Sequence, residues 1–150
     1  MTIHQIIETL NNFIPFSEDD AENSNVRYFE NLLWDLQNKE DFELAFESIF
    51  NLFEKYPLID FGMPGAFVHT LEKFVGRYEK YLFESLKRRP TPMTILMLNR
   101  IINAEKNIII KQNLIDRLQS YLDHPLVEKE TADLIMDFVA YQNKIINQSN

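Results

Sequence analysis

Apolar residues recur every three or four positions along nearly the whole chain, the spacing of a single buried helix face. The series starts at Ile3, and Thr2 with Gln5 has the spacing of a capping box, so a first helix is expected from Ile3 to about Phe13. Residues 16–24 are polar and without period, which predicts a loop. Val26, Phe29, Leu33 and Leu36 mark a second helix. Asn38 is a candidate cap for a third, in which Phe42, Ala45, Phe46, Ile49, Phe50 and Phe53 form an aromatic stripe. Tyr56-Pro57 ends that helix, because a residue before proline is pushed out of helical space.

The segment 57–65 is an apolar connection expected to wedge against the core. Pro64 suits the first turn of a fourth helix carrying Phe67, Val68, Leu71, Phe74, Tyr78, Leu82 and Leu86, with a break near Gly76. Thr91-Pro92 reads as a cap followed by proline at the first helical position, opening a helix through Ile95, Leu98, Ile101 and Ile102. A sixth helix is expected from about Asn107 to Leu122 through Ile110, Ile115 and Leu118, ending at His124-Pro125. The last spans about Glu128 to Ile146.

No segment alternates apolar and polar residues for the length of a strand. The chain has only three Gly and six Pro, too few for a turn-rich β-sandwich. The fold class expected is therefore all-α. About seven helices with short links imply antiparallel pairs, either a HEAT-like stack or an irregular bundle. No exact internal repeat occurs, and 150 residues suit one helical domain over 1–150.

Charge sharpens this picture. The net charge is −8, and it is unevenly spread. Residues 1–60 hold thirteen acidic and three basic side chains, whereas residues 61–106 hold four acidic and eight basic. The acidic residues gather in the loop at Glu18, Asp19, Asp20 and Glu22 and again at Glu40, Asp41, Glu43 and Glu47, with Asp35 between. Acidic side chains in first helical turns are partly explained by the helix dipole. Their concentration also makes these nine residues the candidate contacts for a basic protein partner. An acidic surface repels phosphate backbones, so direct nucleic-acid binding is not expected.

Cysteine is absent, which excludes disulfides, thiolate metal sites and a cysteine nucleophile, and accords with a reducing cytoplasm. The first residues lack the basic and apolar regions of a secretory signal, and no stretch of about 18 apolar residues predicts a membrane span. His69 and Glu72 are one helical turn apart, but His4 and His124 stand alone, so neither a metal site nor any cofactor is expected. Asn99 and Asn103 share a face of an otherwise apolar helix, suited to hydrogen-bonding a neighbouring helix. Lys87-Arg88-Arg89 is a short basic run at a helix C-terminus, where the dipole favours it. No phosphate-binding glycine loop, G-x-S-x-G elbow or H-E-x-x-H motif occurs, and no catalytic residue is assigned.

The segment Gly62-Met63-Pro64-Gly65-Ala66-Phe67-Val68-His69-Thr70-Leu71-Glu72 and the run from Arg89-Pro90-Thr91-Pro92 to Leu98-Asn99-Arg100-Ile101-Ile102-Asn103 together resemble bacterial immunity proteins of contact-dependent growth inhibition and polymorphic toxin systems. The similar core covers about residues 57–105. The resemblance implies a cytoplasmic antitoxin, not an enzyme, that covers the active site or substrate groove of a cognate toxin domain, a nuclease with a basic cleft. Because the similar core is not itself the acidic part, we read Pro64, Gly65, His69, Asn99 and Arg100 as scaffold and the acidic N-terminal residues as the partner contacts. The alternative is a helical scaffold or adaptor with aromatic anchors such as Trp34 or Tyr28. A third reading makes His69 and Glu72 a catalytic or metal pair.

Overall fold

A computed structural model describes residues 1–149. Its described residues form eight α-helices, two short 3₁₀ turns and no strand, so the protein is all-α. The chain divides into two compact units, residues 1–84 and Ser85 onward.

The first unit contains α1 (Ile3–Asn11), α2 (Glu30–Leu36), a 3₁₀ turn (Phe42–Ala45) that runs into α3 (Phe46–Lys55), and α4 (Ala66–Glu72). The helix α5 (Glu79–Arg88) begins in this unit and carries the chain across the boundary. The expected capping box starts α1: the Thr2 hydroxyl accepts from Gln5 N–H and the Gln5 side chain accepts from Thr2 N–H. α1 packs on α3 and its preceding 3₁₀ turn, and α2 packs on α4.

The core between them is aromatic. Phe13, Phe29, Phe53, Phe61 and Phe67 are all buried, with ring centroids 4.7 Å apart for Phe13 and Phe29 and 5.0 Å for Phe29 and Phe67. Burying each such ring is worth about 1.5–3 kcal/mol, and edge-to-face contacts add to that. Of the segment 57–65, expected to wedge against the core, only Phe61 is buried; Leu58 and Met63 are exposed.

Several local expectations need correction. Asn38 does not cap the third helix: its side-chain amide donates to the Trp34 carbonyl, and a 3₁₀ turn intervenes before α3. Pro64 is not in the first turn of α4, because Gly65 occupies the N-cap. The break expected near Gly76 is present: Gly76 adopts φ +90°, and the fourth stretch is two helices, α4 and α5. This split makes eight helices where about seven are expected.

The second unit contains α6 (Pro92–Ala104), α7 (Ile108–Ser120), a 3₁₀ turn (Tyr121–Asp123) and α8 (Lys129–Ser149). Each of the three helices packs against the other two. Thr91 caps α6 as expected, with Pro92 at the first turn and a reciprocal bond to Thr94, both threonines being fully buried. Asn107 caps α7 through bonds from the N–H groups of Ile109 and Ile110. The turn before α8 is tied at His124, whose Nδ1 accepts from Leu126 N–H, so Nε2 donates to the Lys87 carbonyl at 2.7 Å.

Candidate functional site

The division of the chain coincides with the division of its charge. Residues 1–84 carry sixteen acidic and six basic side chains, a net of −10, and residues 85–150 carry seven acidic and nine basic, a net of +2. The nine candidate carboxylates lie in the first unit and fall into two groups.

Three of them hold the structure together. Hydrogen bonds from the backbone N–H groups of Glu22 and Asn23, each 2.9 Å, hold the Asp20 carboxyl below the ordinary carboxylate range. Asp35 is likewise lowered, first by a hydrogen bond from the Met1 ammonium at 2.7 Å and then by the charge of Lys39. Glu43 accepts from Arg77 Nε at 2.9 Å, and the same guanidinium lies over the Phe42 ring.

The other six face solvent. Glu18, Asp19, Glu22, Glu40, Asp41 and Glu47 are exposed, and among the described residues none of their carboxylates has an ion-pair partner. The loop that carries Glu18, Asp19 and Glu22 is tied in place all the same. The Asn25 side chain bonds Phe16 twice, accepting from its N–H at 2.8 Å and donating to its carbonyl at 3.0 Å, which closes the acidic loop at its base. Asp20 then shapes its tip.

Beside this loop a groove runs along α1. It is lined by Phe13, Ile14, Phe16 and Tyr28, by Gln5, Glu8 and Thr9 of α1 with its C-cap Asn12, and by Met1. Phe16 and Tyr28 bracket the acidic loop in sequence and pack edge to face, 5.2 Å apart. No Lys or Arg lines the groove. Ile14 is 77% exposed there, past the end of α1, where the apolar period does not show that the side chain turns to solvent. Trp34 on α2 and Leu44 in the 3₁₀ turn are also open to solvent, at 68% and 61%.

The remaining chemical candidates lie elsewhere. His69 is exposed on α4, and among the described residues no three His, Asp or Glu side chains are placed to hold a metal ion. Asn99 and Asn103 meet a neighbouring helix, as their spacing predicts: Gln142 Nε2 on α8 donates to the Oδ1 of each, at 2.8 and 2.6 Å. Gly62 and Gly65 have φ of +95° and +125°, and a Cβ on either would lie within 3 Å of the other's Cα. These features give the segments around Gly65 and Asn99 structural work. No helix is long and apolar enough to cross a membrane among the described residues.

Comparison with known protein families, curated proteins and solved structures finds no match to the chain.

Proposed function

We propose that this protein is a cytoplasmic immunity protein: it binds a cognate bacterial toxin domain, a nuclease with a basic cleft, and blocks it with the acidic surface of the first unit. The observation that carries the reading is the set of six solvent-facing, unpaired carboxylates within a unit of net charge −10. An inhibitor of this kind mimics the charge of the nucleic acid that the nuclease binds. Electrostatic attraction between such surfaces speeds association more than it deepens affinity. The reading assigns no catalysis to this chain. The resemblance over residues 57–105 supports it, with that segment acting as scaffold.

A non-inhibitory adaptor is the second reading, and exposed Trp34 is the observation that favours it. Tryptophan is enriched among residues that anchor protein interfaces.

The test is co-expression with the product of the gene immediately upstream. Immunity predicts that cells survive expression of that product only when this chain is present, and that the two proteins co-purify. A harmless neighbour that forms no complex would end the antitoxin reading and leave the adaptor. Charge reversals belong at Asp19, Glu40, Asp41 and Glu47. Asp20 is unsuitable, because changing it alters the loop as well as the charge.

A further inference from the structure

We infer that the groove beside α1 is a docking site for a short basic amphipathic segment of a partner protein, whose apolar side chains enter against Ile14, Phe16 and Tyr28. The inference deepens the binding role proposed above by naming the contact and the chemistry of what fills it. Three observations carry it. The apolar lining is open, with Ile14 77% and Tyr28 46% exposed. The lining contains a carboxylate, Glu8, and no Lys or Arg. The loop carrying Glu18, Asp19 and Glu22 leaves the chain directly after Phe16, a lining residue that Asn25 clamps.

An apolar lining with Glu8 in it and an acidic loop adjoining it in sequence is complementary to an apolar anchor flanked by Lys or Arg. Length is bounded too: the nine residues of α1 extend about 13 Å, which matches two to three turns of an incoming helix. Burying one isoleucine-sized contact changes affinity by roughly tenfold or more.

The test uses the full chain and a synthetic helix-forming peptide of about 12 residues, Leu on one face and Lys on the other, with a Leu/Glu peptide as control. Amide chemical shifts are followed during titration. The expected result is saturable binding of the Leu/Lys peptide with shifts centred on Gln5, Glu8, Asn12, Ile14, Phe16 and Tyr28, and none with the control. The deciding variant is Ile14→Asp, which adds negative charge while removing the apolar contact at an exposed position. Docking in the groove predicts about tenfold weaker binding of the Leu/Lys peptide. Attraction by charge alone predicts equal or tighter binding, and that result, or shifts spread over the whole acidic surface, would overturn the inference. These outcomes do not depend on a toxin: a toxin complex that leaves the groove uncovered would sink this site and spare the immunity reading, while a bound peptide without any toxin would do the reverse.

Discussion

Asp20 and Glu22 stand two positions apart in one loop and have opposite roles. Asp20 accepts two backbone hydrogen bonds and shapes the turn; Glu22 points into water. The consequence is a pH dependence with a definite sign. The folded-state carboxyl of Asp20 is held below its unfolded value, so its contribution to stability is present above that value and is lost as pH falls through the folded one. Carboxylate titration by NMR is expected to find Asp20 below the ordinary range, with the Glu22 and Asn23 amide signals moving in step. An ordinary Asp20 titration, or amides that move independently of it, would contradict the arrangement. A second residue-scale prediction concerns Gln142, fully buried in α8 with its Oε1 unbonded. Its amide N–H groups serve Asn99 and Asn103 together. Gln142→Ala removes the donor from buried Asn99 and leaves a cavity, and is expected to lower unfolding free energy by about 2–3 kcal/mol. Asn103→Ala, at an exposed position, is expected to cost less than about 1 kcal/mol. Denaturant unfolding of the two variants measures both.

Elements were legible in the sequence where a cap or breaker coincides with the apolar period. Thr2 with Gln5, Thr91 with Pro92, and His124-Pro125 mark real boundaries for this reason. The reading failed where tertiary contacts chose among local options. Asn38 could cap a helix by type, but its amide finds the Trp34 carbonyl instead. Pro64 could open a helix, but the chain needs positive φ at both Gly62 and Gly65 to pass the two backbones close together. Such a close approach leaves no mark in hydrophobic period. It predicts that Gly65→Ala costs about 2 kcal/mol or more, through backbone overlap as well as positive φ, whereas Gly76→Ala, with open space around it, costs about 1 kcal/mol. Equal losses in thermal or denaturant unfolding would show that overlap is not the cause. At the candidate site, the sequence supplied all nine carboxylates but could not separate the three that build structure from the six that face solvent. That distinction depends on which backbone N–H, ammonium or guanidinium folds up against each. Ile14 escaped notice because its four-residue step from Leu10 continues the apolar period, and that period does not mark where the helix ends and the side chain turns to solvent.

At the scale of the whole molecule, the feature that bears on function is the coincidence of charge with architecture: a unit of net −10 and a unit of net +2. Surface charge of this kind contributes little to folding, and the proposed binding role rests on its concentration in one unit. On the proposed reading, association with a basic partner depends on salt chiefly through the exposed carboxylates. The most direct measurement is the association rate constant with the upstream gene product, followed across ionic strength. The chain is compared with a variant carrying Asp19→Asn, Glu40→Gln, Asp41→Asn and Glu47→Gln. The account predicts a rate that falls about tenfold or more with added salt for the unaltered chain, and a slower rate with a shallower salt dependence for the variant. Equal rates and equal salt slopes in the two proteins would contradict it, because the partner would then be bound by some other surface.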